Sequence, residues 1–445
     1  MRTTSIGLLF VAIFITAAPA ASAGEFTDVI DAFDQRYNGD PFDLNLSVGY
    51  ERQYKQGDIR RESISTTPHP WDYYGYVDVA QFKQATHILN LQLDIGLFHD
   101  ISIRTKLPII LNDTRELISK SGFNWADNGG SELFATDFKS PSRSGLDTLN
   151  VGLWWGILDQ GRDDTKPNWT FFVEGRFSVG TVMHAACKSQ NGQSCSDLGL
   201  ETKSGVGRGV HEVAGGFRLS RRFHIVEPYF GLEAMIGFSS GGNDYFIEGD
   251  STGMLNTRPP AVGTIDIGME FIPWEVPEKE RKLVIGVGTG GKYHSEGRER
   301  TPLYDALGTS PYFLGQDYVD LNGDGQDSSL LPHSDPNYVS DEHSAVGPGV
   351  WTGATDIENF ATIFGKIFIS IQPAKYVKFT IGSNFAHETE HFITKTDQCP
   401  SDQVIQDGCA VYDWGYRPEL DTPGYRFRAE KTFVWDFYLD AAAQF

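Results

Sequence analysis

The sequence lacks a long apolar run, an excess of basic residues and a high cysteine content. Its longest apolar stretch, residues 6–18, is shorter than the roughly 20 residues that a membrane-spanning helix needs, which argues against a helical membrane protein. The 445 residues include 59 acidic and 37 basic side chains, for a net charge of −22. That balance argues against nucleic-acid binding, which requires Lys and Arg on one face. An aromatic content of 13% is too high for a disordered acidic chain.

The first residues have the pattern of an export signal. Arg2 precedes the apolar stretch at residues 6–18, and Ala21-Ser22-Ala23 fits a cleavage site with small residues. We therefore predict a signal peptide at residues 1–23, a mature chain that starts near Gly24, and a periplasmic N-terminal segment at residues 24–41. An uncleaved N-terminal anchor helix is the alternative.

The four cysteines form two local pairs. Cys187 and Cys195 bracket one polar stretch, and Cys399 and Cys409 bracket another. An even number of closely spaced cysteines in an exported chain favours disulfides that close loops. A metal site is the alternative, although no C-x2-C spacing supports it.

Period-two alternation of apolar and polar residues recurs along the chain. Leu89, Leu91 and Leu93, for example, alternate with Asn90 and Gln92. Such alternation is typical of a strand with one apolar face. Twelve rows of this kind occur, at residues 42–50, 89–97, 101–107, 149–157, 169–177, 213–219, 230–236, 265–271, 283–290, 363–370, 377–385 and 433–445.

The connections between the rows distinguish a membrane barrel from a soluble sandwich. Short links follow the even-numbered rows and long links follow the odd-numbered rows, as in outer-membrane barrels with short periplasmic turns and long external loops. We therefore predict an all-β fold, a closed antiparallel transmembrane β-barrel of twelve strands over residues 42–445. The apolar rows should face lipid, and the aromatic residues near row ends should form interfacial girdles (Trp154, Trp155, Trp169, Trp274 and Tyr376).

The last strand carries a family resemblance. Phe445 ends the chain, with apolar residues at every second position back to Phe433. This pattern resembles the C-terminal β-signal of Gram-negative outer-membrane proteins, and no subfamily is indicated. The resemblance implies an integral outer-membrane, porin-like barrel, with the barrel assembly machinery as a partner in biogenesis and lipid and lipopolysaccharide as its surroundings. Twelve-stranded relatives include nucleoside channels, acidic-sugar porins and the outer-membrane phospholipase. The phospholipase needs a Ser and a His on the outer wall, and these rows carry no His.

Parity places a nearly balanced set of charges on the inner face of the barrel. The predicted lumen-lining residues are acidic (Asp94, Glu174, Glu212, Glu233, Asp266, Glu270, Asp436 and Asp440) and basic (Arg104, Lys106, Arg176, Arg218, Lys366 and Lys378). These charges either line a wet, narrow channel or pair across the lumen and close it. Twelve strands leave room for a small pore only, since eight are filled by side chains and sixteen leave an aqueous channel.

The largest external loop, about residues 294–359, is strongly acidic. It holds twelve acidic and two basic residues, which would attract cations to the mouth or simply form a solvated surface. Asp320, Asn322, Asp324 and Gln326, with Gly325, match the start of a calcium loop, so bound Ca²⁺ is one hypothesis. An ordinary polar turn is the other, because Leu331 stands where an EF-hand needs a bidentate Glu. A loop of this length should fold, cap the mouth or enter the barrel.

A zinc-protease motif also occurs at His387-Glu388-Thr389-Glu390-His391. Such proteases carry it on a helix, whereas here it continues a strand, in which the two histidines would lie roughly 13 Å apart. We therefore predict no catalytic site, and no cofactor apart from the Ca²⁺ hypothesis. The preferred function is a narrow passive channel for small solutes or cations. The alternative is a closed barrel whose long, acidic, disulfide-closed loops bind partners or serve a structural role. An outer-membrane enzyme ranks lowest. The sequence leaves the oligomeric state open.

Overall fold

The prediction of a twelve-stranded closed antiparallel barrel is confirmed. A computed structural model describes residues 26–27, 44–64, 74–98, 100–128, 131–190, 193–195, 202, 204–245, 255–314, 352–397 and 416–445. Numbered along the chain, the barrel strands are β1 Leu44–Ile64, β2 Tyr74–Phe98, β3 Ile101–Ser119, β4 Thr148–Leu158, β5 Asn168–Ser178, β6 Val210–Ser220, β7 Val226–Ser239, β8 Val262–Val276, β9 Arg281–His294, β10 Phe360–Ala374, β11 Val377–Glu388 and β12 Phe427–Gln444.

Each barrel strand pairs with the next one along the chain. The first and last strands close the barrel, in a register that runs from Asn45 opposite Gln444 to Arg61 opposite Phe427, with a bulge between Gln56 and Asp58. Closure leaves no strand edge unpaired, as lipid requires of a membrane-spanning sheet.

The apolar rows of the sequence face outward. Leu153, Phe171, Ile267, Ile367 and Leu439 are among a large set of exposed apolar side chains on the barrel strands. Their polar neighbours along each strand point to the opposite, inner face, because successive side chains alternate. An apolar outer band on a closed antiparallel barrel is the architecture of bacterial outer-membrane proteins.

Several strands are longer than a membrane crossing requires. β1 has 21 residues and β2 has 25, against the 9–11 that a tilted strand needs to span a bilayer. The extra length projects from the end of the barrel that carries the long connections. The first of these connections is shorter than the sequence rows suggested, because β1 runs to Ile64 and β2 begins at Tyr74.

Short elements lie between the barrel strands. The helices are α1 Tyr304–Gly308, α2 Pro311–Leu314 and α3 Pro418–Asp421, with 3-10 turns at Trp125–Asp127 and Pro277–Lys279. Short strands outside the set of twelve occur at Phe138–Lys139, Arg143–Leu146, Ser189–Gln190, Gln193–Ser194, Gly297–Glu299, Thr355–Ile357 and His391–Phe392. None of the helices in the described residues is long and apolar enough to cross a membrane.

These short elements pack into a hydrophobic cluster at the long-connection end of the barrel. Leu133, Phe134, Leu307, Ile393 and Leu420 are buried there against the outer ends of β1, β2, β3 and β12. We call the described loop residues that surround this cluster the cap (residues 125–128, 131–146, 183–187, 298–314, 352–357, 391–397 and 416–426). The described parts of the largest loop therefore fold and cover the mouth.

Candidate functional site in the barrel interior

Many of the predicted lumen charges lie in ion pairs on the inner face. The Nε atom of Arg104 is 2.9 Å from a carboxylate oxygen of Asp94, and Nζ of Lys366 is 2.5 Å from Asp266. Arg176 binds three carboxylates, at 2.7, 3.4 and 3.9 Å (Glu174, Glu233 and Glu212). Lys366 lies on β10 and Asp266 on β8, so this pair bridges across the intervening strand β9.

The remaining predicted charges form looser groups. The side chain of Asp440 packs over Gly49, and a Cβ atom added to Gly49 would lie 1.7 Å from Asp440 Oδ1. Lys106 and Lys378 lie near the Asp440 carboxylate. Asp436 accepts hydrogen bonds from Gln53 and Asn384. The inner face therefore brings these groups together as the parity of the strands predicts, with both signs of charge interleaved.

Aromatic rings form a second component of the inner wall that the sequence analysis missed. Trp154 is buried and stacks on Phe172 with ring centroids 4.3 Å apart. The guanidinium carbons of Arg104 and Arg218 lie 4.4 and 4.8 Å from the centroid of the Trp154 ring. The assignment of Trp154 to an interfacial girdle is therefore wrong. Its neighbour Trp155 faces outward, and alternation points Trp154 into the barrel.

Phe26 of the N-terminal segment lies against this wall. Its ring stacks on Tyr229 at 4.0 Å between centroids, with Arg218 at 5.0 Å and Lys366 at 4.9 Å from its centroid. The backbone N–H of Phe26 donates to Glu270 Oε1 at 2.9 Å, and its carbonyl accepts from Arg218 Nη1 at 3.1 Å. We call Tyr229, Arg218, Lys366 and Glu270 the Phe26 seat.

Thr27 extends the same attachment. Its hydroxyl lies 2.8 Å from that of Ser220, at the end of β6 next to a short turn, and Thr27 is fully buried. The sequence predicts a periplasmic position for residues 24–41. For Phe26 and Thr27 the structure differs, because the ring and backbone of Phe26 and the hydroxyl of Thr27 contact groups inside the barrel, near its short-turn end.

Glycines on neighbouring strands make room for the aromatic rings. The Tyr229 hydroxyl lies where a Cβ on Gly268 or Gly288 would be, at 2.3 and 2.1 Å. The ring of Phe368 covers Gly286 in the same way, with its nearest carbon 2.1 Å from the Cβ position. The alternating glycines of β9 are therefore a packing requirement of the inner wall, since any larger residue would collide with the rings.

Several buried polar atoms of this wall have no hydrogen-bond partner among the described residues. They include the Tyr229 hydroxyl, Trp154 Nε1, Asp266 Oδ1 and Asp436 Oδ1. A buried polar group costs about 1–3 kcal/mol if its bond is left unmade. We therefore expect these atoms to bond to water or to a solute.

Buried ion pairs hold the cap together. Arg143 and Asp305 pair with both side chains buried, and so do Arg298 and Asp356, whose Nη1 and Oδ1 atoms are 3.1 Å apart. Cys187 and Cys195 form a disulfide at the edge of the cap, with Cα atoms 5.8 Å apart, so this predicted bridge is confirmed.

Arg61 is a further anchor of the cap. Its guanidinium donates to three backbone carbonyls (Asn128, Glu419 and Tyr425), and it lies 5.2–5.5 Å from three ring centroids (Trp125, Tyr425 and Phe427). A cavity of about 80 Å³ remains below the cap, beside the 2.7 Å ion pair of Lys55 and Glu388.

The stability of the cap should fall as pH rises, because of Asp421. Burial raises the pKa of this carboxyl from 3.8 to about 8, although its oxygens accept from the Arg417 and Thr396 backbone N–H groups. The folded cap then holds a proton that the unfolded chain releases near pH 4, so stability is greatest below that pH and declines up to about pH 8. Hydrogen exchange at Thr396 and Arg417, corrected for intrinsic rates, should show decreasing protection over this range.

Asp421→Asn serves as the control for this pH effect. The amide cannot ionise, so its protection should be independent of pH, although one of the two accepted bonds is weakened. An equal pH slope in both proteins would contradict the assignment.

The zinc-protease motif does not bring its histidines together. His387 is exposed, whereas Glu388 and His391 are buried. His391 stacks on Phe360, with ring centroids 4.0 Å apart, and burial lowers its pKa. No group of three or more potential metal ligands of the His, Cys, Asp and Glu types occurs among the described residues.

Other predicted features lie outside the described residues. These are the signal peptide, the Cys399–Cys409 bridge and the calcium turn of Asp320, Asn322, Asp324 and Gln326. They stay predictions.

Comparisons with known proteins give only distant likenesses. No family model matches the chain, and no curated protein matches it. Among solved structures, an outer membrane channel from Pseudomonas putida F1 is 9% identical with a TM-score of 0.38, over 90% of this chain and 95% of that one. A FadL homologue from Pseudomonas aeruginosa is 8% identical with a TM-score of 0.30, over 90% of each chain. The outer membrane protease OmpT from Escherichia coli is also 8% identical, with a TM-score of 0.26, over 91% of this chain and 96% of that one. These likenesses concern the barrel fold alone and assign neither transport nor proteolysis.

Proposed function

We propose that the protein is a narrow outer-membrane channel for small polar solutes, closed at rest by Phe26 at the short-turn end and by the cap. The observation that carries this proposal is the composition of the inner wall. Buried charges are costly even when paired, so charges on an inner wall are favoured where water or a solute reaches them. The described inner wall keeps charges of both signs, and several of its buried polar atoms have no partner among the described residues.

Two constrictions support a closed resting state. At the short-turn end, Phe26 is bonded to Glu270 and Arg218 across the inner wall. At the other end, the cap covers the mouth with a hydrophobic cluster. Opening then requires the displacement of both, so weakening either closure raises the open probability. Phe26 has fewer contacts with the wall than the cap has with the barrel ends.

Phe26→Ala should increase the open probability of the channel at least several-fold in planar bilayers. The substitution removes the ring that stacks on Tyr229 and lies beside two cations, so only the backbone bonds of residue 26 to Glu270 and Arg218 remain. Single-channel recording in KCl measures the change. Phe223→Ala is a matched control, because Phe223 is exposed on a short turn away from the Phe26 seat. Folded, heat-modifiable Phe26→Ala protein without any conductance steps would contradict the channel proposal.

The ion preference of the pore is a separate part of the proposal. The acidic composition of the largest loop favours cations at the mouth, whereas the described inner wall carries both signs. Reversal potentials across a KCl gradient distinguish the two influences. A preference for cations that weakens at high salt would indicate the loops, since salt screens exposed charges over about 10 Å.

A surface-binding role is the second candidate, and the construction of the cap favours it. Buried ion pairs and the Cys187–Cys195 disulfide hold the loops in one arrangement, as a preformed binding surface requires. Absence of conductance from both the natural protein and Phe26→Ala would leave this candidate as the preferred one.

A further inference from the structure

Phe26 contacts the inner wall in the manner of a bound ligand. Its ring, its N–H and its carbonyl each have a separate partner in the Phe26 seat: Tyr229 stacks on the ring, Glu270 accepts from the N–H, and Arg218 donates to the carbonyl. The ring also lies against Gly231, where a Cβ would be 2.7 Å from its tip. The wall thus provides a flat slot, with a cation and a hydrogen-bond acceptor at its edge.

Arg218 is the distinctive charge of this slot. Lys366 pairs with Asp266 and Arg104 pairs with Asp94, but Arg218 has no carboxylate within ion-pair distance among the described residues. Carboxylates act on it from farther away (Glu233, Asp266 and Glu174). Its close neighbours are three ring centroids at 4.8–5.6 Å, of which two belong to the barrel wall (Trp154 and Phe172) and one to Phe26.

We propose that the Phe26 seat is a binding site for small aromatic carboxylates, and that Phe26 occupies it when no such ligand is present. This inference deepens the channel proposal by naming the solute class of the same site. A guanidinium binds a carboxylate through two parallel hydrogen bonds, more strongly than it binds the single neutral carbonyl of Phe26. The ring of the ligand takes the place of the Phe26 ring on Tyr229.

Other ligand classes fit the slot less well. A neutral aromatic molecule leaves Arg218 without a charged partner, and an aliphatic acid loses the stacking on Tyr229 and the attraction between Lys366 and the ring face. The acidic loops would slow the approach of an anion to the mouth, because like charges reduce association rates. Affinity at the seat depends on the local contacts instead.

Isothermal titration of the folded full chain in detergent with benzoate tests the site. Phe26→Ala should bind benzoate at least tenfold more tightly than the natural protein, because the competing ring is gone. The double variant with Phe26→Ala and Arg218→Gln should bind benzoate at least tenfold more weakly than Phe26→Ala does. Cyclohexanecarboxylate, which has the same charge without the π system, should bind Phe26→Ala at least fivefold more weakly than benzoate does.

Two controls keep the test decisive. Arg221→Gln in the Phe26→Ala background changes an arginine close in sequence that binds Asp164 O outside the seat, so it should leave benzoate affinity unchanged. Arg218→Lys in the same background keeps the charge but cannot form two parallel hydrogen bonds with a carboxylate, so it should still lose part of the benzoate affinity. It replaces Arg218→Gln if the Gln variant fails the heat-modifiability check for folding. Equal benzoate affinity in the natural protein and Phe26→Ala, or no loss with either Arg218 variant, would overturn the site.

The binding test is independent of the conductance test. Benzoate binding with the expected variant pattern, but no conductance, would reject the channel and keep the site. Conductance steps without any benzoate binding would keep the channel and reject the site.

Discussion

Arg143→Met should release the cap while the barrel remains folded. Arg143 lies in the second long connection and binds both carboxylate oxygens of Asp305 in the fifth, in a pair with both side chains buried. It also donates to Ser204 Oγ at 2.7 Å and to the His184 carbonyl at 3.3 Å. One guanidinium therefore joins three of the long connections.

Removal of Arg143 alone should destabilise the cap by more than the net free energy that the ion pair contributes. Asp305 would remain as a buried charge without an ion-pair partner, stabilised by the Ala186 N–H at 3.1 Å and, from beyond ion-pair distance, by the Arg115 guanidinium. Breaking a buried pair in this way typically costs about 3–5 kcal/mol. Hydrogen exchange at Ala186 and neighbouring cap amides should accelerate about 10²–10³-fold, since each 1.4 kcal/mol corresponds to about a factor of ten.

A double variant and an exposed pair provide the comparison. Arg143→Met with Asp305→Leu removes both charges and should recover most of the protection, because apolar replacement of a whole buried pair is often neutral or stabilising. Lys166→Met breaks the exposed Lys166–Asp163 pair in a short turn and should have almost no effect. If Arg143→Met leaves cap exchange unchanged, the pair does not hold the cap.

The barrel could be predicted from the sequence because its physical signal is repeated twelve times. Each outward row, such as Ile265, Ile267 and Met269 on β8, follows from the same need to place apolar side chains in lipid and polar ones inside. The same parity located the charges that pair within the lumen, including Asp94 with Arg104. Strand ends beyond the membrane carry no such signal, and the lengths of β1 and β2 were accordingly underestimated.

The site depended on contacts that alternation does not encode. Phe26 lies in a segment without any periodic pattern, and nothing in the sequence near it indicates that it stacks on Tyr229, some two hundred residues away along the chain. Trp154 was misplaced because two adjacent tryptophans were both assigned to the interface, although alternation sends them to opposite faces. The glycines of β9 were the available signal, since small residues at consecutive inward positions indicate large side chains packed over them.

Gly288→Ala tests whether this packing positions the Phe26 seat. The new Cβ would lie 2.1 Å from the Tyr229 hydroxyl and 2.8 Å from Lys366 Cε, with the Ile267 carbonyl at 3.2 Å behind it. Tyr229 and Lys366 both contact the Phe26 ring, so they can yield only by disturbing its slot. Overpacking of this kind typically costs about 1–3 kcal/mol. We expect a lower midpoint of thermal unfolding in the heat-modifiability assay, together with an open probability that approaches that of Phe26→Ala.

Gly291→Ala on the same strand is the matched variant, because its nearest atom, the Thr362 carbonyl, is 3.8 Å from the Cβ position. This substitution adds a methyl group at an ordinary contact distance and should be neutral or slightly stabilising, by up to about 1 kcal/mol, through the reduced entropy of the unfolded chain. The difference between the two alanines isolates the effect of the rings from the general effect of replacing glycine in β9. If the two variants have the same thermal midpoint and the same open probability, the ring packing over Gly288 neither stabilises the barrel nor controls the N-terminal segment. If Gly288→Ala lowers stability but leaves gating unchanged, the rings support the wall and the segment is held by Glu270 and Arg218 instead.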